Sequence, residues 1–220
     1  MAQVTNTFSV YDAKGLREDL SDIIYSIAPT ETPFMSGISK EKATAVLHEW
    51  QTDSLASAVA NNAQIEGDEI AFTAPTATVR VNNRTQISRK SVIVSGTLDS
   101  VSKAGRNNEL AYQISKASKE LKRDMESSLT ANNSPVVGDD STARELAGLA
   151  GWIQQNNDAG AGGANGQVSS VDTPGTARTD GTQRAFTESQ LKAVIKKCWD
   201  EGGDPSMIML GSFNKQVLSG

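Results

Sequence analysis

The feature that most limits how this chain can fold is a long polar stretch between two segments that alternate like β-strands. Residues 44–52 predict a strand with Trp50 on one side, and a second extended run covers residues 76–94. The intervening residues 53–75 are rich in Ala, Asn and Ser and offer little to fill a core. A two-stranded hairpin is marginally stable alone, so this excursion needs another surface to lie on.

The amino-terminal segment predicts an amphipathic helical arm. Asp12 is a suitable N-cap, and the apolar residues of 13–27 recur at helical spacing. Pro29 ends this helix because the residue before a proline avoids the helical region. Residues 33–38, PFMSGI, then predict a fixed turn with a small apolar cluster.

The strongest helical pattern spans residues 107–132. Its apolar residues repeat at intervals of three and four, and its basic residues lie mostly off that stripe. A helix of about 26 residues is roughly 39 Å long at 1.5 Å per residue. Its narrow apolar stripe is typical of a helix at the edge of a domain rather than in a core.

After this helix the sequence predicts a loop and then a separate α/β unit. Residues 154–183 consist mainly of small and polar residues, and they predict a mobile surface loop with almost nothing to bury. Thr187 can cap a helix that residues 202–203, both glycine, end. Residues 206–210, SMIML, predict a short buried strand, and Ser212 the cap of a last helix. One strand cannot close a sheet, so the sequence predicts a truncated chain.

The residue counts argue against the common catalytic and metal sites. The 220 residues contain one histidine, His48, and one cysteine, Cys198, too few for a zinc site of the usual type. Cys198 lies on the apolar face of a predicted helix, where a free cysteine usually acts as a small hydrophobe. The carboxylates of residues 66–69 and 138–145 lack the spacing of a calcium loop. We therefore predict no catalytic residue, no cofactor and no metal ion.

Composition also limits the partners. A net charge of −5 and a pI near 5.0 argue against a dedicated nucleic-acid binder. No stretch approaches the roughly 20 apolar residues of a membrane span, and the first ten residues lack the pattern of a signal peptide. A single cysteine rules out an internal disulfide and fits a reducing compartment.

The order of these parts resembles that of tailed-bacteriophage major capsid proteins, whose fold is shared with encapsulins and the herpesvirus capsid floor. The opening of one branch of these head proteins resembles DLSDIIYSIAPTETPFMSGI, and the strand that begins their extended loop resembles HEWQTDSLA. The return strand and the following spine helix resemble RTQISRKSVIVSGT and ELAYQISKASKELKRDMESSL. The resemblance covers most of residues 12–220.

The resemblance implies an α+β fold of the tailed-phage major capsid type. Residues 1–42 would form the N-terminal arm and residues 43–95 the extended two-stranded loop. Residues 96–185 would form the peripheral domain, with the spine helix and a flexible loop. Residues 186–220 would begin an axial domain that this chain leaves incomplete.

The implied function is that of a structural subunit, not an enzyme. Copies of the chain would assemble as hexamers and pentamers of an icosahedral head shell that encloses phage DNA. The inner face would contact DNA without sequence preference, and scaffolding, portal and decoration proteins are further expected partners. The expected location is the virion, after assembly in the host cytoplasm and without membrane association.

In such a shell the two-stranded excursion is a contact between subunits. Ordering its backbone costs about 1–2 kcal/mol per residue, which a neighbouring subunit can offset. The acidic cluster before the second strand and the basic residues within it have opposite charges that could pair around a ring. The candidate contact residues are Trp50, Glu66, Asp68, Glu69, Arg80, Arg84 and Arg89.

Two other interpretations stay open. One is an α/β enzyme domain truncated before its active site, which gives the long hairpin no role. The other is a surface filament or adhesin subunit, which the Ala-, Asn-, Thr- and Gly-rich loops suggest but the missing signal peptide and repeats do not. Electron microscopy of the full-length protein distinguishes closed polyhedral particles, filaments and neither.

The first testable prediction concerns covalent cross-links. Some capsids of this fold join subunits by an isopeptide bond between a lysine on the extended loop and an asparagine on a neighbour. Residues 43–89 contain no lysine, and Lys42 and Lys90 lie at the base of the extended loop, where they are expected to face their own subunit. The guanidinium of arginine stays protonated and cannot replace lysine as a nucleophile. Assembled particles boiled in detergent under reducing conditions should therefore give a single monomer band on a gel. A ladder of covalent multimers would contradict this prediction.

Overall fold

The computed structural model describes Ile24, residues 29–168 and residues 174–220. The described chain mixes helices with one two-stranded sheet, which confirms the α+β class. The elements in chain order are α1 (Pro33–Gly37), β1 (Leu47–Thr52), β2 (Val79–Arg84), α2 (Gly96–Ser100), α3 (Glu109–Thr130), α4 (Leu149–Trp152), α5 (Glu188–Asp200) and α6 (Ser212–Ser219). The predicted arm helix, residues 13–27, lies outside the described residues apart from Ile24.

The chain divides into two units. The first contains Lys90–Glu120 together with the described residues before Glu31, and the second contains Glu31–Arg89 with the described part of Leu121–Gly220. The second unit holds the two-stranded sheet and most of the described chain.

In the first unit, charged and polar side chains fix the start of α3. The carboxylate of Asp99 accepts a hydrogen bond of 3.0 Å from the backbone N–H of Glu109. The buried Glu109 side chain forms an ion pair with Arg106 and accepts a hydrogen bond of 2.8 Å from Gln113. The hydrogen bonds from Gln113 and Arg106 lower the pKa of Glu109, so this carboxylate stays charged at the positive end of the helix dipole.

The sheet of the second unit is a short antiparallel hairpin. Leu47 lies opposite Arg84 and Thr52 opposite Val79, so each strand is six residues long. Residues 53–78, here called the hairpin loop, contain no helix or strand, and every one of them is exposed. The paired part of the hairpin is therefore small compared with the loop that it supports.

Two asparagine side chains bind the backbone of the segment that runs into α4. The amide of Asn83 donates to the carbonyl of Ala147 at 3.1 Å and accepts from its N–H at 2.9 Å. The amide of Asn133 donates to the carbonyl of Leu146 at 2.8 Å and accepts from the N–H of Gly148 at 3.1 Å. Each side chain thus makes the pair of bonds that a neighbouring strand would make, and together they join β2 to the region after α3.

A carboxylate from α3 holds the short helix α1. Glu126 accepts hydrogen bonds from the backbone N–H groups of Phe34 at 2.8 Å and Met35 at 2.7 Å. Pro33 starts α1, because its missing N–H costs nothing in the first helical turn. The segment predicted as a fixed turn is therefore one helical turn attached to α3.

The predicted long helices are confirmed. α3 covers 22 residues of the predicted 107–132, and α5 begins directly after its predicted cap Thr187. Gly202 has a φ of +82° and its N–H donates to the carbonyl of Trp199 at 2.9 Å, which is the expected glycine end of the helix. Hydrophobic periodicity was sufficient to find both helices.

Residues 154–183 were predicted as a loop with almost nothing to bury, and their described part contains no helix or strand and buries Gly166 and Pro174 alone. Their backbone pairs at two isolated β-bridges, including Ala164 with Thr179, and Pro174 is fully buried. The segment packs through backbone contact at glycine rather than through large side chains. A Cβ on Gly181, for example, would lie 2.2 Å from a backbone oxygen in the same segment.

Three shorter elements differ from their predictions. The second strand ends at Arg84, although the extended run was predicted to reach residue 94. The short helix α2 lies between that run and α3, where the sequence shows no helical pattern. Residues 206–210 form no strand, and their Met207 side chain is 63% exposed. An extended segment becomes a strand only beside a partner, and among the described residues no strand pairs with it.

The close backbone approach at Gly148 gives a second prediction. A Cβ at this position would lie 2.2 Å from the carbonyl oxygen of Ala131. Gly148→Ala should therefore lower the free energy of unfolding, measured by urea denaturation, by about 1–3 kcal/mol. The matched control is Gly96→Ala, because no atom lies within 4 Å of its added Cβ. The control should leave this free energy unchanged or slightly raised. Equal free energies of unfolding for the two variants would show that the backbone at Gly148 can move without cost.

Candidate intersubunit surface

The acidic cluster of the hairpin loop lies on a tight turn. The N–H of Asp68 donates to the carbonyl of Ile65 at 3.1 Å, and Gly67 takes a φ of +83° that favours glycine. The carboxylate of Asp68 accepts from the N–H of Glu69 at 3.0 Å. The predicted contact residues Glu66, Asp68 and Glu69 are therefore all exposed on one turn.

The hairpin loop also exposes large apolar side chains. Their exposed fractions are Leu55 98%, Val59 70%, Ile65 80%, Ile70 76% and Phe72 95%. Burying one such side chain contributes roughly 1.5–3 kcal/mol. The isolated subunit leaves these side chains in water, so a second chain that covered them would gain this free energy. Several exposed large apolar side chains on one segment are more than isolated surface residues, and they favour a protein–protein contact.

Trp50, the predicted aromatic contact residue, packs against other residues of its own subunit. The ring centroid of Trp50 lies 5.2 Å from that of Trp152 and 5.8 Å from that of His48. Trp50 is 39% exposed, so only part of its surface remains for another chain. Its role at an interface stays a prediction.

The predicted basic residues lie in different environments. Arg80 forms a cross-strand ion pair with Glu49, Arg84 is half-buried at the end of β2, and Arg89 is exposed beyond it. An exposed ion pair contributes only about 0–1 kcal/mol, so Arg80 can exchange its partner at little cost. The structure places these arginines on or after β2 and the acidic cluster in the hairpin loop.

The acidic segment 138–145 is a hydrogen-bonded turn. The carboxylate of Asp139 accepts bonds of 2.7 Å from the N–H and hydroxyl of Ser141 and from the N–H of Thr142. These bonds, led by that from the Ser141 hydroxyl, lower the pKa of Asp139 to about 2. The hydrogen-bonding capacity of the Asp139 carboxylate is therefore used within its own turn, in agreement with the lack of a calcium-loop spacing.

A cavity beside α5 is a feature that the sequence did not indicate. It has a volume of about 610 Å³ and a mainly apolar lining. Its apolar lining residues are Ile153, Phe186, Leu191, Val194 and Cys198, and its charged ones are Asp158, Arg178 and Arg184. These residues come from three separate parts of the sequence. Sequence reasoning identified only the apolar face of α5, because the other lining residues meet it through the tertiary fold.

The rim of this cavity is held by charged contacts. Arg184 forms an ion pair of 2.5 Å with the carboxylate of Asp158, and this hydrogen bond lowers the pKa of Asp158. The ammonium group of Lys197 donates to the carbonyl of Asn157 at 2.9 Å. Asn156 takes a left-handed φ of 57°, which turns the chain at this rim.

The described residues also bear on metal and membrane sites. Among them, no group of three or more His, Cys, Asp and Glu side chains is arranged to hold a metal ion. None of the helices in residues 29–168 and 174–220 is both long and apolar enough to span a bilayer.

Comparison with known proteins places the chain in a family. The model of the family described as SU10 major capsid protein matches residues 3–220. The chain is also 30% identical to the major capsid protein of Escherichia phage Phieco32 over 241 aligned residues, which cover 97% of this chain and 68% of that protein. Both matches include the hairpin, α3 and α5, and they confirm the resemblance to phage major capsid proteins. The chain therefore belongs to the SU10 major capsid protein family.

Proposed function

We propose that copies of this chain assemble into the closed head shell of a tailed phage and that the hairpin loop joins neighbouring copies. Membership in a major capsid protein family supports a structural role in the virion, and it favours neither the enzyme nor the filament alternative. The observation that carries the proposal is the hairpin loop, which is exposed throughout and includes five large apolar side chains.

The finer features of the shell belong to the same proposal. The shell would be icosahedral, built from hexamers and pentamers, and would enclose phage DNA after assembly in the host cytoplasm. With a net charge of −5, the subunit would contact DNA weakly, without sequence preference and with strong salt dependence. Scaffolding, portal and decoration proteins remain proposed partners.

The domain assignment is also proposed. Residues 1–42 form the arm and 43–95 the extended loop, which contains β1, the hairpin loop and β2. Residues 96–185 form the peripheral domain, with α3 as its spine helix. Residues 186–220 begin the axial domain with α5 and α6. These assignments follow the order of parts that the resemblance to tailed-phage major capsid proteins implies.

The energetics favour a contact with another copy. An ordered loop loses about 1–2 kcal/mol per residue in backbone entropy, and contacts must offset that loss. Within the described hairpin loop, the acidic turn has one backbone hydrogen bond, from Asp68 to Ile65. A neighbouring subunit can bury the apolar side chains that the loop leaves exposed, and this burial would order it.

The first prediction from this proposal is that assembly orders the hairpin loop. Amide hydrogens of residues 53–78 should exchange rapidly in the unassembled subunit and many-fold more slowly in assembled particles, because only the latter supply a covering surface. Hydrogen exchange read by mass spectrometry measures both states, with the middle of α3 as an internal reference protected in each. Strong and equal protection of the hairpin loop in the free subunit would contradict the proposed contact.

The second prediction separates folding from assembly. The triple variant Ile65→Ser, Ile70→Ser and Phe72→Ser should have a free energy of unfolding within about 0.5 kcal/mol of that of the unmodified free subunit, because all three side chains are exposed. Urea denaturation measures this difference. It should nevertheless fail to form particles in light scattering and electron microscopy.

The matched control changes three alanines of the same loop to serine, at positions 56, 63 and 71. It should assemble like the unmodified chain, because alanine has little apolar surface to lose. Normal shells from the Ile/Phe variant would show that the hairpin loop is not an apolar contact.

A further inference from the structure

We propose that residues 65–72 of the hairpin loop of one copy, here called the loop tip, insert into the cavity beside α5 of the next copy. This inference rests on the proposed shell function and specifies the surface that receives the loop. Both partners lie in the second unit of the chain, and both are present in every copy.

The loop tip and the cavity match in size and polarity. The cavity volume of about 610 Å³ falls in the range of pockets that enclose a ligand of several side chains. Its lining is mainly apolar and includes Phe186, Leu191 and Val194. The loop tip supplies Ile70 and Phe72, which are 76% and 95% exposed in their own subunit.

Their charges have opposite sign. The loop tip has three carboxylates and no basic residue, so its charge is −3. The charged residues that line the cavity are Arg178, Arg184 and Asp158, of which Arg184 and Asp158 are paired with each other. With Asp180, which pairs with Arg178, and Lys197 at the rim, three basic and two acidic groups give a net charge of +1. A carboxylate of the tip would approach the two guanidinium groups at the rim while the apolar side chains enter the cavity.

The arrangement also meets the symmetry requirement of a ring. A head-to-tail contact joins two different surfaces of the same chain, and it closes into a ring when the rotation between neighbours permits. The loop tip is one such surface and the cavity is the other. Since the tip residues are exposed in their own subunit, the chain does not fill its own cavity with them.

Cys198 makes this contact testable, because it lines the cavity and is the only cysteine of the chain. In Ile70→Cys particles treated with diamide, which takes up the two protons and two electrons, a disulfide should form between the introduced thiol of one copy and Cys198 of the next. A disulfide requires Cα atoms about 4.4–6.8 Å apart, so it reports direct insertion. The control is Val59→Cys, in the same loop but outside the tip. Glu69→Cys keeps every apolar side chain and replaces Ile70→Cys if the latter does not assemble.

The expected result is loss of the monomer band to a ladder of dimers and higher multimers on a non-reducing gel, reversed by reductant. Mass spectrometry should find position 70 linked to Cys198, and the unmodified chain and Val59→Cys should stay monomeric. Normal particles without a ladder, or an equal ladder from Val59→Cys, would overturn the insertion but leave the shell function standing. Failure of the unmodified full-length protein to form shells would instead overturn the shell function and this inference with it.

Discussion

The hairpin is attached to the rest of the second unit by polar side chains that bind backbone. Besides the amide of Asn83, the side chain of Gln86 accepts from the N–H of Leu146 at 3.2 Å. Arg144 donates to the carbonyl of Thr85 at 2.6 Å. Asn83 and Asn133 together satisfy the N–H and C=O groups of the segment before α4, and Ala147 between them is only 3% exposed. Such bonds contribute about 1 kcal/mol each, and a lost partner leaves a buried polar group at greater cost. These polar contacts, together with the Trp50–Trp152 ring contact and the burial of Val81, hold the hairpin in place.

This reliance on amides follows from the small amount of apolar material in the chain. Among the described residues, the apolar side chains that are almost fully buried are Val81, Ala147 and Pro174. Larger apolar groups, such as Leu55 and Phe72, are exposed instead. A subunit of this kind has limited stability alone, and burial between copies would add the part that its own core lacks.

Sequence patterns predicted the parts of the fold that depend on local periodicity. α3 and α5 follow from apolar repeats, and the hairpin follows from two alternating segments. The packing at glycine residues was missed because it leaves no pattern in the neighbouring sequence. Gly148, for example, approaches the backbone of Ala131, which is distant along the chain. The cavity beside α5 was missed because distant stretches meet there. The acidic residues of the hairpin loop were recognised, but their receiving surface depends on tertiary structure.

The backbone contacts at glycine have a mechanical consequence. Gly148 and Gly181 bring peptide groups together with no intervening side chain, so at these two contacts no side-chain rotamer can rearrange under strain. Side-chain packing yields gradually to a deforming force, whereas peptide groups already in contact resist compression at once. These two contacts should therefore resist compression more than side-chain packing does, although the composition around Gly181 resembles that of a flexible linker.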